Sequence, residues 1–259
     1  MKASIRNRLN SYSSLIPHPS ALVSSLIPHP SFVVGETSAK AGGQKQKNGA
    51  GGEPAMLPAW FIDLVRPVGR ALSRLLWKIN YRGLENVPQT GGLIIASNHQ
   101  TYIDPFWLGF PINRPLRFLA WSEIFDWPVV GKLIELFGAW PLEIERSDPT
   151  AIRRSIQWLR GGGAIVIFPE GGREYEDGNL LKFKPGAVRL ALETGVPILP
   201  VTIRGGNRVW PRGKSFPHIA KVEIIYHPPI QVAQQDGEDA RHAARRETQR
   251  LAEIIKSSD

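Results

Sequence analysis

The chain has 259 residues, 42% hydrophobic and 21% charged, which is enough for one large domain or two small ones and excludes a mainly disordered or fibrous protein. With 32 Lys and Arg against 23 Asp and Glu, the formal charge of +9 favours anionic partners such as lipid headgroups, phosphorylated metabolites or nucleic acid. The absence of Cys excludes disulfides, thiolate metal sites and cysteine-borne covalent intermediates.

Residues 1–55 contain no Asp and only Glu36 and Glu53 as acids, and they are rich in Ser, Pro, Gly and Ala. Within them SSLIPHPSALV (Ser13 to Val23) is followed directly by SSLIPHPSFVV (Ser24 to Val34), an 11-residue repeat with nine identities. Two copies do not make a solenoid, and Pro on both sides of each His blocks a helix, so a disordered leader is expected up to Pro54. Two readings of the leader stand: a basic, acid-poor targeting segment, or sequence placed upstream of a natural start at Met56.

From Leu57 to Tyr81 apolar Phe61, Leu64, Val65, Val68, Leu72, Leu75, Leu76 and Ile79 recur at helical spacing, while Arg66, Arg70, Arg74 and Lys78 step every four residues along another face. The pattern predicts a basic amphipathic helix over residues 56–82, kinked or divided at Pro67. It either packs on the core or lies at a membrane interface with Trp60 and Trp77 as anchors. No run of about 18 apolar residues occurs, so any membrane attachment is expected to be peripheral.

After Gly83 short apolar runs alternate with helical stretches. Leu93 to Ser97, Leu116 to Ala120, Ala139 to Leu142, Ala164 to Phe168, Ile198 to Ile203 and Val222 to Tyr226 read as strands. Helices are predicted at about 105–110, 129–136, 149–160, 185–194 and 237–256. Residues 83–259 therefore read as an α/β domain: a mostly parallel central sheet covered by helices on both faces, preceded by the amphipathic N-terminal helix, with ligands beyond the carboxyl ends of its strands.

Two constellations fall at such ends. Directly after LIIAS comes NHQTYID, Asn98 to Asp104. A carboxylate five residues after a His at a strand exit folds back to accept the Nδ1 proton, leaving Nε2 of His99 as a base. Asp104 before Pro105 is equally a natural helix cap. At the end of AIVIF comes FPEGGRE, Phe168 to Glu174, where Gly171 and Gly172 permit a tight turn bearing Glu170 and Arg173, an anion-binding arrangement or a plain Gly turn with a surface ion pair. Neither another His near His99 nor a GxSxG elbow occurs, so no metal and no serine-borne intermediate is expected.

In this order and spacing the blocks resemble the glycerolipid acyltransferase family typified by 1-acyl-glycerol-3-phosphate acyltransferase, over about Tyr81 to Tyr226. The first block, Asn-His then four residues and Asp, is matched by Asn98, His99 and Asp104, and the resemblance assigns catalysis to His99 with Asp104. Gly138 to Arg146 is similar to the second block, with Glu145 where the family often has Asp. The third, Phe-Pro-Glu-Gly-Thr-Arg, is matched by Phe168 to Arg173 with Gly172 replacing Thr. VPILPVTI, Val196 to Ile203, is similar to the fourth, and LKFKPGAVRLA, Leu181 to Ala191, to the segment before it.

The resemblance implies a transferase that moves a fatty acyl group from acyl-CoA or an acyl carrier protein, with no cofactor, to a lysophospholipid, most simply 1-acyl-glycerol-3-phosphate. Glycerol phosphate, other lysophospholipids and lyso-aminolipids are alternative acceptors. Asn98, Arg146, Glu170, Gly171, Gly172 and Arg173 are the candidate substrate-binding residues, and Lys182 and Lys184 candidate contacts for acceptor or donor phosphates. An anionic membrane at the cytoplasmic face is the expected setting. No nucleic-acid motif and no interleaving of basic and aromatic residues is present, so nucleic acid is not an expected partner.

Overall fold

The computed structural model describes residues 56–127, 129–142, 148–172, 179–211 and 216–257, so the expectations placed on the leader, Arg146 and Arg173 lie outside the described residues. Seven strands form one sheet: β1 (Asn80–Arg82), β2 (Leu93–Ser97), β3 (Leu116–Trp121), β4 (Ala139–Leu142), β5 (Ala164–Ile167), β6 (Ile198–Arg204) and β7 (Glu223–Tyr226). Their order is β1-β7-β6-β2-β5-β3-β4. From β6 to β4 all neighbours run parallel, whereas β7 pairs antiparallel with β6 and β1 parallel with β7.

The helices are α1 (Ala59–Trp77), α2 (Asp104–Gly109), α3 (Val130–Leu136), α4 (Pro149–Arg160), α5 (Gly186–Thr194), α6 (Gly206–Val209) and α7 (Ala240–Lys256). Alternation along β2 explains why that strand is apolar from Leu93 to Ala96. Leu93 and Ile95 face one layer with Trp107, Leu108 and Ile112, while Ile94 and Ala96 face the other with Leu159, Val188, Ala191 and Leu251. Helix α2 and the end of α1 cover the first face, and α4, α5 and α7 the second. Full burial of each such Leu or Ile contributes about 1.5–3 kcal/mol, so an unpaired polar residue between Leu93 and Ala96 would be costly. Helix α7 starts at Ala240 rather than at 237, because the Asp239 carboxylate caps it by accepting from Arg241 N–H and His242 N–H at 2.8 and 2.9 Å.

Helix α1 departs from expectation in three ways. It is one continuous helix across Pro67, whose missing N–H leaves only the carbonyl of exposed Asp63 without a helical partner. It ends at Lys78, in the left-handed conformation, and the chain then enters β1, which helical periodicity had hidden. Its faces are also not those of a basic stripe turned to solvent. Arg66 donates to the Arg114 carbonyl at 2.7 Å and pairs with Asp63, and Arg70 lies 5.7 Å from the centre of the Tyr81 ring. Both arginines face the protein, leaving Arg74 and Lys78 exposed. The outward stripe is apolar: Trp60, Leu64, Val68, Leu72 and Leu75 are 67, 61, 63, 50 and 76% exposed. Trp77, expected as an interface anchor, packs edge-on against Trp107 at 5.2 Å and donates its indole N–H to His218 O. Gly69 lets α1 approach α2 closely, since a Cβ there would lie 2.6 Å from the Phe110 ring.

At the edge where the parallel strands begin, Arg114 is 6% exposed and its guanidinium donates to the carbonyls of Pro88 at 2.8 Å, Gly91, and Gly162 at 2.7 Å. Backbone groups that no strand satisfies are paired there by one side chain.

Candidate active site

The central strand β2 delivers Asn98 and His99 at its carboxyl end, and one irregular turn brings Asp104 back at the start of α2. His99 Nδ1 lies 3.0 Å from Asp104 Oδ2. That oxygen also accepts N–H from Gln100 at 2.6 Å and from Thr101 at 2.8 Å. A carboxylate oxygen already receiving two backbone N–H groups is an acceptor, so the third partner must donate: Nδ1 carries a proton, and in the neutral ring Nε2 keeps its lone pair. Asp104 is fully buried, while the His99 side chain is 17% exposed, so the pair hides its carboxylate and leaves the ring reachable. The cap reading and the catalytic reading thus describe one residue, because Asp104 holds its own loop while orienting the imidazole.

Strand β5 ends beside β2, and the turn after it closes the site. Phe168 stacks on the His99 ring with centroids 4.0 Å apart and planes 21° from parallel. Glu170, 5% exposed, accepts the His99 backbone N–H through Oε1 at 3.3 Å. Gly171 adopts φ +64°, a conformation that favours Gly. Among the described residues nothing lies within 4 Å of a Cβ built on Gly172, so their packing does not require Gly where the resembling motif has Thr. Lys184 enters the same region, its backbone N–H donating to Pro169 O at 2.7 Å, whereas Lys182 is exposed.

Asn98 is reassigned. Its amide donates to Ile203 O at 2.8 Å and accepts Ile203 N–H at 2.7 Å, and it is 3% exposed. It ties the exit of β2 to β6 and positions His99 rather than presenting a free group to substrate. Gln100, missed in the sequence, acts likewise by accepting Gly206 N–H at 2.8 Å. Also missed was the aromatic cluster on the catalytic loop, where Tyr102 lies 6.3 Å from Trp127 and 5.6 Å from Trp210. Its only sequence signal was an aromatic residue inside the His-to-Asp interval. Among the described residues, no three His, Asp or Glu side chains converge as metal ligands.

A histidine ring oriented by a buried carboxylate, with no nucleophilic side chain hydrogen-bonded to it among the described residues, has the arrangement needed to take a proton from a substrate hydroxyl. The chain matches the profile of the Acyltransferase family over residues 78–204. It is similar to a chloroplastic 1-acyl-sn-glycerol-3-phosphate acyltransferase of Arabidopsis thaliana, 33% identical over 166 residues that cover 62% of this chain and 46% of the relative. A 1-acyl-sn-glycerol-3-phosphate acyltransferase of Bacillus subtilis is 29% identical over 150 residues, covering 58% of this chain and 72% of the relative. The chain spans about half the length of the plant relatives it matches. The crystal structure of the 1-acyl-sn-glycerophosphate acyltransferase PlsC from Thermotoga maritima superposes with a TM-score of 0.61 at 29% identity, covering 76% of this chain and 77% of that one.

Proposed function

We propose that the protein transfers a fatty acyl group from an acyl thioester, of coenzyme A or an acyl carrier protein, to the free hydroxyl of 1-acyl-glycerol-3-phosphate, giving phosphatidic acid. The observation that carries the proposal is the His99–Asp104 pair, which leaves Nε2 as the acceptor at the mouth of the strand exits. Nε2 takes the hydroxyl proton as the oxygen attacks the thioester carbon. The new C–O bond forms, the C–S bond breaks, and the proton passes from Nε2 to the departing thiolate, with Asp104 stabilising the imidazolium between the two steps. Direct attack needs both substrates bound at once and no cofactor. Arg146 and Arg173 are the proposed clamps on the acceptor phosphate.

Substrate and product are lipids, and the outward apolar stripe of α1 supports docking on a bilayer. No helix among the described residues is long and apolar enough to cross a membrane. The activity is tested by thiol release from acyl-CoA and acyl carrier protein against a panel of lysolipids. Release dependent on 1-acyl-glycerol-3-phosphate and lost in His99→Ala is expected. Release driven equally by glycerol phosphate or by a lyso-aminolipid would change the acceptor.

A further inference from the structure

We infer that Lys184 is a phosphate-binding residue of the active site, held over the Gly171 turn so that its ammonium meets a phosphate group of a bound substrate. The inference rests on the acyltransferase reading and adds a specific cation to it. A Cβ built on Gly171 would lie 2.6 Å from Lys184 Nζ, 2.9 Å from Cε and 3.0 Å from Cδ. The aliphatic stem therefore lies flat on Gly171, and a side chain at that position would occupy its path. The backbone of Lys184 is fixed to the same turn by its N–H donating to Pro169 O at 2.7 Å.

The location of the charge is what matters. Gly171 directly follows Glu170, whose Oε1 accepts the backbone N–H of His99, and Phe168 of the same turn is stacked on the His99 ring. A cation is thus laid against the turn that touches the base. Among the described residues no carboxylate forms an ion pair with the Lys184 ammonium. An ammonium held by its stem on the turn that contacts His99, and in no ion pair among the described residues, suits an anion brought by the substrate. The substrates of the proposed reaction carry phosphate: a monoester on the acceptor, and the nucleotide phosphates on a coenzyme A donor. Lys meets either as a compact point charge. Lys182, exposed two residues earlier, has no comparable seat.

The test is Lys184→Met, which keeps the stem on Gly171 and removes the charge, beside Lys184→Arg, which restores it. Steady-state constants are measured for 1-acyl-glycerol-3-phosphate and for 1-acylglycerol, which lacks the phosphate, each with an acyl-CoA and with an acyl-pantetheine donor. We expect Lys184→Met to raise one KM by about 10- to 100-fold with kcat nearly unchanged, as loss of a charge-assisted contact made equally in ground and transition states, and Lys184→Arg to recover part of it. A rise confined to the phosphorylated acceptor places the acceptor monoester on Lys184, and one confined to acyl-CoA places the donor phosphates there. Unchanged KM values in every arm would overturn the inference. Calorimetric binding of glycerol 3-phosphate and of coenzyme A separates this from the activity. A wild type that transfers to no acceptor sinks the acyltransferase reading, while equal binding of both ligands by wild type and Lys184→Met sinks the role of Lys184.

Discussion

Replacing Leu64, Leu72 and Leu75 together by Gln tests the proposed docking of α1 on a bilayer. These side chains are 61, 50 and 76% exposed, which together amounts to roughly two fully exposed leucines, and their immersion contributes about 3–6 kcal/mol at about 1.5–3 kcal/mol for each complete burial. Of the three basic residues on the helix and Lys78 at its end, Arg66 and Arg70 face the protein, so only Arg74 and Lys78 are left to attract anionic lipid, at about 1 kcal/mol each. Apolar burial therefore outweighs charge. The triple variant is expected to bind vesicles at least about 100-fold more weakly at any salt concentration, with an unchanged melting temperature because the three positions are already wet. Arg74→Gln with Lys78→Gln should lose about 30-fold, only on anionic vesicles and only at low salt. Vesicle co-sedimentation across a salt series, with neutral and anionic lipid, reads both. Binding that survives the leucine changes but vanishes with the two basic ones would refute the orientation of α1 argued above.

His99→Ala should lower kcat by about 10²–10⁴-fold with little change in stability, since its ring is not a structural donor beyond Asp104. Asp104→Asn should lose activity and stability together, because its single oxygen can keep the Gln100 and Thr101 N–H groups only by burying the amide nitrogen where Asp104 Oδ1 has no hydrogen-bond partner, and equal melting temperatures would contradict the shared role. Asn98→Ala should cost about 2–4 kcal/mol in urea unfolding by orphaning the buried N–H and carbonyl of Ile203, and undiminished stability would show that water replaces the amide. Thr202 donates its hydroxyl to Ile255 O and so accepts from His227 Nε2, whose imidazole is held below its ordinary value of 6.5 by burial and then by Arg204. The unfolded chain binds that proton more readily, so this stability is present above pH 6.5 and is lost as pH falls through the lower folded value. Thermal melts from about pH 7.5 to about pH 5 should show a shallower acid loss in His227→Gln than in wild type, and parallel curves would exclude His227 as the cause.

The strands were legible because burial on both faces leaves an uninterrupted apolar run, and the His99–Asp104 pair was legible because its partners are five residues apart. What escaped was decided by partners far along the chain. Asn80–Arg82 has no strand signature of its own and becomes β1 only by pairing with Glu223–Ile225. The amide of Asn98 looked available until Ile203 occupied it. Helical periodicity separated two faces of α1 but not which was inward, because an Arg stem can be buried when its guanidinium finds a carbonyl or a ring, as Arg66 and Arg70 do.

Arg114 has a consequence for strand alignment. In the sheet Leu93 of β2 and Leu116 of β3 both pair with Ala164 of β5. Arg114 lies two residues before Leu116, and two of its acceptors, Gly91 and Gly162, lie two residues before Leu93 and Ala164. One planar fork thus gauges the start of three strands at the same level. A one-residue slip of any of them would turn its apolar residues to the wrong layer and also carry a carbonyl or the fork itself out of reach, so the same cation that satisfies the backbone penalises misaligned sheets.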